Sequence, residues 1–456
     1  MPGGRAGTPT GVPAAAAPTT APTTRATTAT TTAPTTPATT DAEADLVAAA
    51  VAGLYANGAG SDRVVDRAGQ LARSAGGRVA VTLGWTESSL RYTDRAGRSV
   101  DRSFSAPPTA IGMNRVMAVD DAVNRFAAGR LSLPQARAAV DTARALPPAN
   151  VWLFAAACAV GAACLAVIFG VDHWEAVALI AVAAGGGAFL RRAVARFGGS
   201  NFWQAGLAAL LAGLIGALAV DADLSSPLRL AAVCPCMVLV PGPHLLNGSF
   251  DLAGIRIPLG IARLAFATIT LLAIGAGLVV GLTAGGADLV LDPAGRDVPL
   301  WLDAAAAGVV AVCYGVFYSA PLRILVWPLV VGAAVHALRW VAIEHWHLES
   351  YLAAGLACLV AGLVLLPVCR RFQVPFSAVG FASVVSLMPG LLVFRTVAGL
   401  AMLQDASGQR AQQLVQGVMN DSTVALLTVA AMAIGFILAV AVDRVAWHAT
   451  GPGPTR

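Results

Sequence analysis

The chain contains no lysine; all 30 of its basic residues are arginine. It has no basic cluster with interleaved aromatics, so the net charge of +5 does not mark a nucleic-acid surface. Charge of either sign is scarce, 12% of residues against about 25% in a soluble domain. The seven cysteines (158, 164, 234, 236, 313, 358 and 369) include no C-x-x-C pair, and all fall in or at the ends of apolar runs. That pattern suggests neither a disulfide framework nor a zinc site; cysteine in such places is usually a small packing residue. Histidine and cysteine are absent from Asp41 to Pro148, which removes the commonest nucleophile–base pairs there. Residues 1–40 have no apolar h-region, so no signal peptide is expected; their Thr, Ala, Pro and Gly predict a disordered tail. No cofactor and no metal site is expected anywhere. The weak Glu344-His345-Trp346-His347 cluster reads as loop structure.

What is abundant is apolar. Hydrophobic residues make up 57% of the chain and the mean hydropathy is +0.71. Several runs reach the ~18 residues that cross a bilayer. The expected class is a polytopic α-helical membrane protein, lipid being its main solvent. Residues 41–148 have ordinary charge density and predict a small α+β domain. Its helices are Asp41–Asn57, Ser61–Ser74 with Ser61 as cap, Met113–Ala128, and Ser132–Ala145 capped by Ser132. Its strands are Arg78–Trp85, Ser88–Thr93 and Arg98–Phe104. The Asp120-Asp121 pair reads as a solvated face.

Ten spans are predicted from Val151 onward: Val151–Gly170, Trp174–Leu190, Phe202–Val220, Leu228–Leu246, Ile257–Leu282, Leu300–Tyr318, Leu322–Leu338, Tyr351–Cys369, Phe376–Phe394 and Ser422–Val442. They divide into a first repeat (149–282), a linker loop (283–300) and a second repeat (301–443), with a tail at 444–456. Each half has five spans, and the fourth of each is broken by Pro-Gly. A tandem repeat of five spans places its copies in opposite orientations, so the chain predicts a 5+5 inverted repeat. One set of loops carries Arg191, Arg192, Arg196, Arg256, Arg323, Arg370 and Arg371, with Arg444 in the tail. The other carries Asp172, Glu175, Asp221, Asp223, Asp288, Asp292, Asp297, Glu344 and Glu349. The positive-inside rule puts the first set, the α+β domain and both termini in the cytoplasm.

The organising stretch is Cys234 to Arg263, CPCMVLVPGPHLLNGSFDLAGIRIPLGIAR, broken at Pro241-Gly242; its counterpart is broken at Pro389-Gly390. A half-helix starting after such a break presents unpaired N–H groups to an anion. Freed carbonyls before it can accept an ammonium. Val240, Pro241, Gly242, Met388, Pro389 and Gly390 are therefore candidates for binding by backbone, with His244, Asn247, Ser249 and Ser386 as polar partners. The plainer alternative is that Pro-Gly merely ends or kinks a helix. Asp251, Arg263 and Arg395 are candidates for proton coupling or gating. For the two arginines the alternative is snorkelling to the interface. Asp303 is a further proton candidate. His336 reads as a packed, satisfied residue and His244 as an interfacial one bonded to backbone. Gln404 to Gln416 is polar, either an outer lid or a surface helix.

Three stretches resemble the threonine/serine exporter family: Leu239 to Arg263, Val374 to Leu400 (VPFSAVGFASVVSLMPGLLVFRTVAGL) and Ile111 to Pro148. The resemblance covers about Asp45 to Val442. It implies proton-motive-force-driven export of threonine and serine across the plasma (inner) membrane by antiport, with protons, small amino acids and lipid as partners and no enzymatic activity. His244 departs from the family's apolar residue, and split two-subunit relatives are associated with dicarboxylate export, so fold alone does not fix the substrate. A membrane enzyme using His244 and Asp251 is a third alternative. The oligomeric state, a homo-oligomer included, is open.

Overall fold

The structure, a computed structural model, describes residues 37–171, 173–221, 230–287, 298–372 and 374–450. The expected tail up to residue 36, the loop acids Asp172, Asp223, Asp288, Asp292 and Asp297, and the last six residues lie outside the described residues.

The N-terminal unit contains α1 (Pro37–Tyr55), α2 (Ser61–Ala75), β1 (Arg78–Thr82), β2 (Glu87–Thr93), β3 (Ser99–Ser105), α3 (Met113–Ala127) and α4 (Leu133–Arg144). The strands form an antiparallel meander in the order β1-β2-β3. On β2, Leu90 and Tyr92 point inward while their neighbours face out, the period-2 pattern of a half-buried sheet. Helix α1 packs against β3, α3 and α4 and is buried along most of its length. Gln135 accepts the Ser132 N–H at 2.9 Å, so α4 starts where the sequence predicts. Gly60, not Ser61, precedes α2; Ser61 is its first helical residue. The sheet releases the chain after Thr82, and Trp85 packs on Phe266 of a later helix, ring centroids 5.3 Å apart. Asp120 is not on a solvated face. It is buried and bound by Arg63 at 2.5 Å and Arg67 at 2.9 Å, joining α2 to α3.

The rest is helical: α5 (Val151–Ile168), α6 (Trp174–Arg196), α7 (Asn201–Asp221), α8 (Leu230–Met237), α9 (Gly242–Ala253), α10 (Ile257–Ala284), α11 (Leu300–Phe317), α12 (Val326–Glu344), α13 (Ser350–Phe372), α14 (Phe376–Val384), α15 (Gly390–Met402) and α16 (Gly408–Thr450). Among the described residues eight helices are long and apolar enough to cross a membrane. There are ten if each bent pair, α8–α9 at 53° and α14–α15 at 57°, is one span. Two sequence expectations change. The fourth span does not end at Leu246, because α9 restarts at Gly242 and runs to Ala253; Asn247, Ser249 and Asp251 are on a helix rather than beyond one. The polar segment before the last span, from Gly408 on, is the opening of the 43-residue α16 rather than a separate lid.

The packing pattern recurs in the two halves. Helix α5 packs on α6, and α11 on α12. Helix α9 packs on α10, and α15 on α16; across the halves α9 meets α16, α10 meets α15 and α5 meets α11. Within each half the closest pair is backbone to backbone. A methyl group added at Gly277 of α10 would stand 2.1 Å from Gly206 O of α7, and one at Gly435 of α16 would stand 2.2 Å from Gly355 O of α13. Small residues allow such approach between membrane helices, where dispersion and not water expulsion drives packing.

The N-terminal unit sits on one end of this bundle. Met113 and Asn114 donate their N–H groups to Tyr318 O (2.9 Å) and Ser319 O (3.1 Å). Asn201 Nδ2 donates to Thr109 O at 2.8 Å, and Arg256 reaches Asp62 at 2.5 Å. This end carries Arg191, Arg192 and Arg256, members of the arginine-rich set.

Candidate functional site

The two Pro-Gly breaks have nearly the same backbone. Pro241 lies at φ −79°, ψ 55° and Pro389 at φ −79°, ψ 47°. They also lie against each other: a methyl group added at Gly390 would be 3.3 Å from Met237 Cγ and Val240 Cγ2, and one at Gly242 would be 3.5 Å from Met388 Cε. Leu165, Met237, Val240, Tyr314, Val385, Met388 and Gly390 enclose a small space between them.

The backbone at the first break is not free in the way the composition suggests. Gly242 N–H is taken by Val240 O at 2.8 Å, and His244 and Leu245 both donate to Pro241 O, at 3.0 and 3.2 Å. Residue 243 is proline and has no N–H to offer. Before the break, Met237 O accepts both Val240 N–H (3.2 Å) and the Tyr314 hydroxyl (2.7 Å). Gly390 closes on Met388 O at 2.8 Å as Gly242 does on Val240. The first break therefore forms a wall whose donors at Gly242, His244 and Leu245 are already bonded.

That wall faces a cavity of about 290 Å3. Leu239, Val240, Pro241, Pro243 and His244 line one side; α6, α7, α10, the end of α11 and the Thr109–Arg115 segment of the N-terminal unit close the others. The volume is near the lower end of small-molecule sites, about 300 Å3. Arg191 and Arg192 enter it from the last turns of α6. Arg191 lies over the Phe317 ring at 5.0 Å and Arg192 over Phe154 at 4.5 Å. Arg192 donates to Ala149 O at 3.1 Å, whereas Arg191 Nε and Nη1 are shielded from solvent and have no hydrogen-bond partner. Buried donors of this kind are rare and ask for an acceptor. His244 Nδ1, Asn114 Oδ1 and the Tyr318 hydroxyl are likewise shielded and unpartnered. His244 is 4% exposed and stacks near Phe266, 4.8 Å between centroids, so it is a cavity-wall group rather than an interfacial one. Asp and Glu are absent from the described lining.

Arg263 is 0% exposed, with Nε 2.8 Å from Asp251 Oδ2 and its guanidinium carbon 5.2 Å above the Tyr55 ring. It is not snorkelling. Burial raises the Tyr55 hydroxyl to about 12 against the pull of Arg263, so a neutral phenol covers the cation. Arg395 is likewise paired, with Asp421 at 2.9 Å. Asn247 points to the N-terminal unit, its Nδ2 3.4 Å from Gly58 O. Ser249 bonds back to Leu245 O at 2.9 Å. Asn247 and Asp251 line a second cavity, of about 370 Å3, with Asp62, Phe250, Ser377 and Arg444. Ser386 sits in the 3-10 turn before the second break and lines none of these three spaces. Cys234 and Cys236 are 0% exposed and line none of them either, so they are packing residues.

A family profile described as "Putative threonine/serine exporter" matches residues 45–285, more than half of the chain, and takes in the first break, Arg191 and the N-terminal unit. The chain belongs to the threonine/serine exporter family. A second profile, "Threonine/Serine exporter, ThrE", matches residues 303–442 with the other break. A "Probable threonine/serine exporter" of Mycobacterium tuberculosis is 26% identical over 339 residues, which cover 72% of this chain and 63% of that protein. No solved structure matches the chain. With its family and its apolar helices of spanning length, the chain is a multi-pass membrane protein. Its two breaks and its Asp251–Arg263 pair come from stretches whose residues carried the resemblance. Arg191 and Arg192 did not stand out in the sequence. Their signal was their place one turn inside a span end, where a helix long enough to reach Arg196 carries them into protein instead of water.

Proposed function

We propose that this protein is a secondary active exporter of threonine and serine in the plasma membrane, coupled to protons by antiport. The observation that carries the reading is the cavity against the first break, with the unpartnered Arg191 guanidinium inside it. Arg191 and Arg192 receive the substrate carboxylate, in the bidentate manner that suits a planar fork. Asn114 Oδ1 accepts from the ammonium, and His244 or Tyr318 meets the side-chain hydroxyl. The membrane part works as a 5+5 inverted repeat by alternating access. The matching breaks and the exchange of packing partners between the halves support this. The N-terminal α+β unit is cytosolic, since it covers the arginine-rich end, and the cavity beside it is the inward-facing binding site.

One observation favours dicarboxylate export as a second reading: Arg115, Arg191 and Arg192 line the cavity and no carboxylate does. Counterflow in proteoliposomes decides between them. Preloaded unlabelled threonine is expected to drive uptake of labelled threonine, with serine competing. Exchange of succinate without exchange of threonine would replace the amino-acid reading. Chemical conversion without exchange would make the protein an enzyme.

A further inference from the structure

Among the described residues three buried carboxylates lie on the spanning helices: Asp251, Asp303 and Asp421. Two are bound to arginine, Asp251 to Arg263 and Asp421 to Arg395. A guanidinium does not give up its proton in a protein, and it favours the ionised form of its carboxylate. Each of those two carboxylates therefore faces a partner that keeps its own charge. Asp303 differs. Its partner is His336, with Nδ1 2.5 Å from Asp303 Oδ2, and both residues are buried, 6% and 1% exposed. Imidazole is the side chain that binds and releases a proton near neutrality. An ionisable pair inside spanning helices is costly and marks an ion or proton path more often than a packing need.

The position fits that use. Asp303 is in the first turn of α11 and His336 is two turns from the end of α12; these ends lie away from the N-terminal unit, which binds the other end of α11 through Tyr318 and Ser319. Among the described residues the charged neighbour is Arg339, three residues beyond His336, which interacts with Asp303 electrostatically. The helices packed against the pair bring little else. Helices α5 and α14 carry no Asp, Glu, His or Arg; α5 has Cys158 and Cys164. Helix α13 has Tyr351, Cys358 and Cys369, with Arg370 and Arg371 in its last turn.

We propose that Asp303 and His336 form the proton-carrying site of the exporter, loaded from the outer side. The site rests on the proton-antiport reading above and names the groups that reading requires. In the loaded state an imidazolium faces the Asp303 carboxylate. On unloading, His336 gives its proton to water on the inner side and the neutral imidazole keeps its bond to Asp303. The cluster then loses one positive charge, and Arg339 balances the carboxylate that is left. Substrate moves outward in exchange for that single proton.

Two fluxes from the full chain in proteoliposomes test this. One is labelled-threonine counterflow without a pH gradient. The other is threonine accumulation driven by a pH gradient, with an internal pH dye reporting proton movement. Asp303→Asn and His336→Gln are expected to keep counterflow and to lose gradient-driven accumulation and threonine-evoked proton flux by about tenfold or more. Asp303→Glu is expected to keep both fluxes with a displaced pH profile, and it serves as the reporter if the other variants fail to insert. Gradient-driven accumulation at wild-type level in either variant, or an unmoved pH profile in Asp303→Glu, overturns the assignment. Loss of both fluxes in folded protein overturns it too and makes the pair structural. No counterflow in the wild type overturns the exporter reading itself, which is a separate result.

Discussion

Arg395 holds Asp421 at 2.9 Å, and this bond repeats, with the charges exchanged, the 2.8 Å bond between Asp251 and Arg263. In each half the bond ties the segment after the Pro-Gly break to the long helix that follows it, α9 to α10 and α15 to α16. Exchanging the signs keeps the tie while preventing either segment from pairing with the wrong helix.

Breaking one of these ties strands a charge. Asp251→Asn leaves Arg263 buried beneath Tyr55 without its carboxylate, and loss of one partner of a buried pair costs about 3–5 kcal/mol. Thermal unfolding in detergent is expected to show a large fall in midpoint for Asp251→Asn and for Arg263→Met. The double variant Asp251→Leu with Arg263→Met is expected to recover most of it, since a well-packed apolar pair avoids the desolvation penalty. A double variant no more stable than the singles would show that the charges themselves are needed.

Arg191 has no hydrogen-bond acceptor in the described structure, so on the proposed binding role its truncation is expected to cost the fold little and the ligand much. For Arg191→Ala, threonine binding is expected to weaken by on the order of tenfold or more, the equivalent of ~1.5–3 kcal/mol for a charge-assisted hydrogen bond. Arg191→Lys is expected to recover charge but not the bidentate fit, giving an intermediate affinity. Calorimetric titration with threonine measures both, and wild-type affinity in Arg191→Ala would move the substrate elsewhere.

Glycine at 277 is required by contact, not by conformation. Gly277→Ala drives a methyl group to 2.1 Å from Gly206 O and is expected to destabilise by about 1–3 kcal/mol or more. Gly186→Ala, where the nearest atom is a flexible Leu211 methyl at 3.5 Å, is its control and is expected to be near neutral. Equal unfolding midpoints would mean that α7 and α10 separate easily.

Glu43 gives a pH dependence outside the membrane. It is 8% exposed and accepts the Tyr92 hydroxyl at 2.8 Å. Burial raises its pKa above the ordinary carboxylate value, with the Tyr92 bond acting in the opposite sense. The folded state therefore binds the proton more tightly than the unfolded one, and this contribution to stability is fully present at low pH and declines as pH rises through the folded pKa. Glu43→Gln keeps an acceptor for Tyr92 and removes the cost of ionisation. It is expected to raise the unfolding midpoint at neutral pH and to lose that advantage near pH 4.5. An advantage that is constant with pH would assign the effect to packing.

The spans and the two breaks were legible because they are written in composition: apolar runs of bilayer length, interrupted by proline and glycine. Asp251 and Arg263, 12 residues apart across one helical corner, were legible as candidates for the same role. Pairs made by tertiary packing were not. Asp120 looked solvated because Arg63 and Arg67 are more than fifty positions away, and His336 looked merely packed because Asp303 comes from the preceding helix. The breaks suggested backbone recognition, but local hydrogen bonds use up the donors of the first one, a matter of torsion angles that residue types leave undetermined.

The glycine contacts of α7 with α10 and of α13 with α16 divide the molecule by stiffness. Two helices whose backbones touch cannot slide past each other without a clash, so each pair behaves as one thick beam. The bent segments, α8–α9 and α14–α15, pack against these pairs, α9 on α10 and α15 on α16. A change of shape that opened one face and closed the other would carry the beams almost unaltered and concentrate its bending at Pro241 and Pro389.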